Sequence, residues 1–194
     1  MLRVLNGRMV KTRRDLSALI SEGVEAYIFL GGPRLPLRHI NETLRSPFYI
    51  VTGKYDDIYV TKVARDLGRL LDAHVLDLGG YRVIGIGGID PHYCISKVLK
   101  LLSNIETREV LVFSYLPAMN WCDLIPVLNV RTGLPELSDL IKRVKPRLFV
   151  SLGSESCCRL SEDIKVITMN ASTVYLDINL DSDLPSHDPG VLTV

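Results

Sequence analysis

Residues 46–57, SPFYIVTGKYDD, hold the first arrangement that looks built for chemistry. Tyr49-Ile50-Val51 reads as a buried strand, and Gly53 supplies a sharp bend. Lys54, Tyr55, Asp56 and Asp57 follow before a helical pattern begins. In α/β proteins, turns at the carboxyl ends of strands are where ligands collect. Lys and Tyr, however, stay protonated near neutral pH and make poor bases and poor metal ligands. Comparable turns recur as LNGRM (5–9), LGGPRL (30–35), FSYLP (113–117, without a glycine) and LGSES (152–156). Brought together, they would offer two kinds of charge. Arg8, Arg34 and Lys54 could line an anion site, or simply extend to solvent around a filled cleft. Asp56, Asp57 and Glu155 could hold one hard cation, or stay as exposed loop acids.

Short apolar runs alternating with helical patterns must position these turns. Strands are expected over Leu2–Leu5, Tyr27–Leu30, Phe48–Thr52, Glu109–Ser114, Arg147–Leu152, Cys157–Leu160, Ile164–Thr168 and Ser172–Asn179. His74–Leu78 and Tyr81–Ile86 flank Gly79-Gly80 and predict a hairpin. Helices are expected over Lys11–Glu22, with Leu16, Leu19 and Ile20 on one face, over Ile58–Leu71, and over Cys94–Leu102. A further helix starts at Pro135, with Leu137, Leu140, Ile141 and Val144 as its stripe. Tyr115–Leu134 reads as a long loop with one Trp and two Pro, and loops of that length are often functional. The pattern implies one α/β domain with two sheets between helices.

Composition narrows the function classes. The 194 residues are 47% hydrophobic and 23% charged, with net charge +1, so no global charge drives the chain toward nucleic acid. No apolar run reaches the roughly 18 residues of a membrane span, and the N-terminus lacks a signal-peptide core. Cytoplasm is the default location. Glutamine is absent, a thermophile-like trait. Arg3, Arg8, Lys11, Arg13 and Arg14 crowd the first 14 residues, whereas Asp177, Asp181, Asp183 and Asp188 sit in the final stretch. Such runs are solvated faces or patches for oppositely charged partners, RNA included. Cys94, Cys122, Cys157 and Cys158 have no zinc-ligand spacing, and their pairing stays open. His39, His74, His92 and His187 read as surface or structural residues. GIGGID (85–90) is glycine-rich but lacks the spacing of a phosphate loop.

The order of the five turns resembles the calcineurin-like metallophosphoesterase superfamily, over roughly residues 1–180. The likeness is strongest from the helix at Pro135 through KPRLFVSLGSES to ITMNASTVYLDINL. The family's blocks D-x-H, G-D-x-x-D, G-N-H-D, a T-H-x-P-like block and G-H-x-H assemble two cations about 3.5–4 Å apart that activate water against a phosphate ester. The resemblance implies a four-layer α/β/β/α sandwich. It also implies a degenerate site. Asn6-Gly7-Arg8 stands for D-x-H, Gly32 for the metal-bridging Asp, and Lys54 and Tyr55 for the Asn and His of G-N-H-D, where Asp56 is kept. Tyr115 stands for the histidine of the fourth block, and Ser154 and Ser156, with Glu155 between them, for both histidines of G-H-x-H.

So read, the chain is expected to bind no metal or other cofactor. Its expected function is that of a non-catalytic module that binds protein partners or acts as a scaffold, with residues 181–194 as an acidic tail. Its contact surfaces would be the 115–134 loop, where Trp121 is either an interface anchor or a core plug, and the basic N-terminal segment, which could take a nucleic acid or nucleoprotein. The alternatives are a diverged metal-dependent phosphoesterase using Asp56, Asp57 and Glu155, and a phosphate or nucleotide sensor at Arg8, Arg34 and Lys54.

Overall fold

The computed structural model describes residues 1–102, 110–161 and 164–180. Three runs, β1 (Leu2–Asn6), β2 (Ala26–Leu30) and β3 (Phe48–Val51), are buried on almost every side chain and pair in parallel. This is the unbroken apolar pattern that parallel sheets need, because both faces are covered. The last strand of the described chain, Tyr175–Ile178, joins antiparallel to β1, giving the order last-β1-β2-β3. The second sheet has six strands. The hairpin β4 (Val75–Leu78) and β5 (Tyr81–Ile86) turns through Gly79 and Gly80, both at positive φ, and borders β6 (Val110–Ser114). A small hairpin, β7 (Leu124–Ile125) and β8 (Val130–Arg131), stands outside this sheet. Beyond β6 come β9 (Leu148–Gly153), then β11 (Ile164–Asn170), then β10 (Cys157–Ser161) at the edge. The strand Tyr175–Ile178 is therefore β12.

Three apolar layers hold these parts as an α/β/β/α sandwich. Leu2, Val4 and Ile28 meet Val83, Phe113 and Val150 between the sheets. On the outer face of the first sheet, Phe29, Phe48 and Ile50 pack on helices α1 (Arg13–Ala18), α2 (Leu37–Thr43) and α3 (Ile58–Asp66). On the outer face of the second, Ile84, Val112 and Phe149 pack on α4 (Pro91–Leu102) and α5 (Pro135–Val144). All four stripe residues expected on α5 are buried there.

Several elements depart from expectation. The first helix is six residues long, because Thr12 and Asp15 cap each other's backbone N–H groups and the helix stops at Ala18; Ile20 is exposed. α3 ends at Asp66, with Gly68 at φ 66°, so Leu70 and Leu71 are not helical. Instead Leu70 bridges Ile50 and Asp72 bridges Gly85, which carries the chain from one sheet to the other. α2 follows the Pro33–Pro36 turn and had no clear sequence signal. The 115–134 stretch is not a bare loop, since it contains β7 and β8. β12 starts at Tyr175 because the Asn170 side chain accepts N–H bonds from Ser172 (2.9 Å) and Thr173 (2.8 Å), holding them in a turn. Residue 109 and the tail 181–194, with His187, lie outside the described residues.

The two charged ends also meet. Arg3 donates to Asp177 through Nε (2.6 Å) and Nη2 (2.7 Å) and to the Leu19 carbonyl through Nη1 (2.6 Å). The Asp177 bond raises the Arg3 pKa above its ordinary value. Arg3 is thus a buried strut rather than part of a basic patch. Among the described residues no helix is long and apolar enough to cross a membrane.

Candidate functional site

The carboxyl ends of β1, β2, β3, β5 and β6 converge, and glycines make that possible. A Cβ on Gly7 would lie 1.9 Å from the Gly31 carbonyl oxygen, so only glycine lets these two turns touch. The Tyr115 ring occupies the centre. Cβ atoms on Gly31, Gly53 and Gly88 would come within 3.1, 2.8 and 2.6 Å of it. The ring therefore fills a cradle formed by turns from both sheets. Burial raises the pKa of the Tyr115 phenol, while the nearby Arg8 cation opposes the rise. The Arg8 guanidinium lies over the rings of Tyr55 (5.0 Å) and Tyr115 (5.7 Å), and Lys54 Nζ lies over Tyr55 (5.6 Å).

Asp56 is committed to the backbone. Its Oδ2 accepts the N–H groups of Gly32 (2.5 Å) and Gly53 (2.6 Å), tying the turn after β2 to the turn after β3. Asp57 is exposed and caps α3, accepting from the Tyr59 N–H at 3.0 Å. Asn6 is buried; its Nδ2 donates to the Ala171 carbonyl (3.2 Å), and its Oδ1 has no hydrogen-bond partner. Arg34 is exposed, its backbone N–H bound to the Val10 carbonyl.

Ser154, Glu155 and Ser156 are also exposed, and their contacts lead elsewhere. Ser154 Oγ donates to the Leu124 carbonyl (3.3 Å), and the Ser156 hydroxyl meets that of Thr173 (3.2 Å). Asp57 and Glu155 are exposed loop acids, the other of the two readings the sequence allowed for them, and Asp56 is tied to the backbone. Among the described residues no three His, Cys, Asp or Glu side chains gather where they could hold a metal ion. The donor set at these strand ends, one orphaned amide oxygen and a carboxylate with one oxygen taken by two backbone N–H groups, does not fit a two-cation centre.

Three residues escaped the sequence reading. Thr52 donates its N–H to Asp72 Oδ1 (2.9 Å) and its hydroxyl to Oδ2. Burial and the neighbouring Asp56 raise the Asp72 pKa, with the Thr52 hydrogen bonds opposing. Asp72 fell just past an expected helix, which hid its place on the crossover. Asp123 has no exposed surface and accepts from the Asn120 N–H (2.9 Å), the Gly133 N–H (3.3 Å) and Arg131 Nη1 (2.8 Å). Its neighbouring Asn and Gly were the available signal. Cys122 and Cys157 form a disulfide that ties this loop to β10, leaving Cys94 buried and Cys158 exposed as free thiols.

No family model matches the sequence, and no curated protein matches it. Solved structures do match in three dimensions. TT1561 of Thermus thermophilus superposes with a TM-score of 0.66 at 19% identity, over 91% of this chain and 93% of that one. GAP50, the anchor in the inner membrane complex of Plasmodium, superposes with a TM-score of 0.52 at 13% identity, over 86% of this chain and 70% of its own. The architecture is that of the metallophosphoesterase-like sandwich.

Proposed function

We propose that this chain is a non-catalytic protein of metallophosphoesterase fold that binds protein partners as a scaffold module. The observation that carries the reading is Tyr115, whose ring fills the cradle of Gly31, Gly53 and Gly88 where metal-binding turns of this fold would face one another. Arg8 and Lys54, stacked on Tyr55, replace metal charge with fixed cations. That a protein of the same fold serves Plasmodium as an anchor supports the reading by analogy only.

The contact surface of this reading is the β7–β8 hairpin. Val127 is 93% exposed, and Leu128, Val130 and, on β10, Leu160 are exposed with it. The hairpin is held out by the disulfide, by Asp123, and by Arg159, which donates to the Asn120 carbonyl (2.8 Å) and lies over the Trp121 ring. Trp121 itself packs against the outer core of the second sheet, so it roots the loop rather than leading the contact. Lys11, Arg13 and Arg14 remain exposed for an acidic partner; binding there would weaken steeply with salt.

The test is metal content and turnover together. The purified chain, incubated with manganese and zinc, is expected to retain substoichiometric metal and to show no metal-dependent hydrolysis of an aryl phosphodiester. One or two tightly held ions per chain would overturn the reading in favour of a diverged phosphoesterase. The paired change Val127→Asp and Leu128→Asp should leave the melting temperature unchanged and abolish co-purification of a partner; a retained partner would exclude the hairpin.

A further inference from the structure

A cleft of about 500 Å³ opens between α3 and α4 and meets the strand-end cluster at Asp56 and Asp72. Its size falls in the range of small-molecule sites, about 300–1,000 Å³. On α3, Ile58, Thr61, Lys62 and Arg65 line it at helical spacing; on the facing side, Tyr93 and Lys97 do the same along α4, with Asp90 just before its first residue. The floor is the crossover between the sheets, with Asp72 and His74.

Three features of the lining have no evident structural use. Lys62, Arg65 and Lys97 have no carboxylate within ion-pair distance among the described residues; Lys97 instead sits 6.0 Å from the Tyr93 ring. Tyr93 is 58% exposed, flanked in the lining by the exposed Ile58 and Ile89. Thr61 Oγ1 is shut off from solvent without a hydrogen-bond partner. Cations on facing helices suit a multiply charged anion. A half-bare aromatic ring beside two isoleucines suits a flat body. The carboxylates of Asp72 and Asp90 accept hydrogen bonds from hydroxyl or amino groups.

The geometry points to a binding site for a nucleoside monophosphate. Its phosphate lies among Lys62, Arg65 and Lys97, its base on Tyr93, and its ribose hydroxyls or exocyclic amine toward Asp72 and Asp90. Inorganic phosphate would use the cations alone, and a purely apolar ligand would leave Lys62, Arg65 and Lys97 without a counter-charge, which costs affinity.

The site stands independently of the scaffold reading, because metal content tests that reading and nucleotide affinity tests this one. Calorimetry of the full chain with AMP should give saturable binding of one ligand per chain, with adenosine or inorganic phosphate roughly tenfold weaker or worse. Arg65→Ala and Tyr93→Ala, both exposed positions, should each weaken AMP by about tenfold without changing the melting temperature. Lys142→Ala, on α5, should leave binding unchanged. Absence of saturation at millimolar AMP overturns the proposal. So does phosphate binding as tightly as AMP, or loss of AMP binding on Lys54→Ala with Arg65→Ala silent, which would place the ligand at the strand ends.

Discussion

The strand-end cluster and the 115–134 excursion each contain a carboxylate that accepts two backbone N–H groups. In the first, Asp56 draws the turns after β2 and β3 together, and the glycines around it admit the Tyr115 ring and nothing more. In the second, Asp123 gathers Asn120, Gly133 and Arg131 beneath a hairpin whose apolar tip stays in water. The same device closes one region and props the other open. What differs is the setting. Glycines let backbones approach until a side chain fills the gap, whereas a disulfide and an ion pair anchored on a buried carboxylate root a loop whose tip projects into water.

Breaking the prop should cost most. Asp123→Ala removes a fully buried acceptor and leaves the Asn120 and Gly133 N–H groups unpaired, while Arg131, itself exposed, returns to water, so we expect a loss of about 3 kcal/mol in urea denaturation. A loss under about 1 kcal/mol would mean that the disulfide alone carries the loop. Crowding the closed region comes next. Gly53→Ala places a methyl 2.8 Å from Tyr115 Cε2 and should cost about 2 kcal/mol, much of it recovered in a Tyr115→Leu background. Gly88→Ala should show little such recovery, because its methyl also meets the Lys54 backbone nitrogen at 2.7 Å. Equal rescue of both would show that the ring is not the wedge.

The smallest effect concerns Asp72. Its folded pKa is raised by burial, so the stability it contributes is full below the ordinary 3.8 and falls as pH rises through the raised value. Asp72→Asn, which cannot ionise, should therefore raise the melting temperature over the parent at pH 7, and the gain should close as pH drops below 3.8. A gain that persists in acid would assign it to packing instead.

The layered fold was legible because parallel strands announce themselves as unbroken apolar runs, and α5 because its stripe, Leu137, Leu140, Ile141 and Val144, has one clean period. The Gly79-Gly80 hairpin was legible for its turn chemistry. Glycine turns marked the strand ends, but not that Tyr115 fills them: a close approach is a property of two or three backbones at once, and no single segment records it. The end of α3 was missed because Leu70 and Leu71 continue a helical apolar pattern while serving a crossover. The α3–α4 cleft was invisible for the same reason, since its cations on each helix read separately as ordinary solvent-facing charge.

The position of β12 carries a consequence in time. β1 lies between β2 and β12, so the first of the described strands is enclosed by the last of them, and Arg3 finds Asp177 across 174 residues. During synthesis β1 and β2 can pair early, but one edge of that sheet stays open, and a cationic side chain destined for burial stays unmatched, until nearly all the described chain has emerged. Folding of the first sheet is thus gated by the last of its described strands, a long-range closure of the kind that slows folding and leaves an unpaired edge exposed meanwhile.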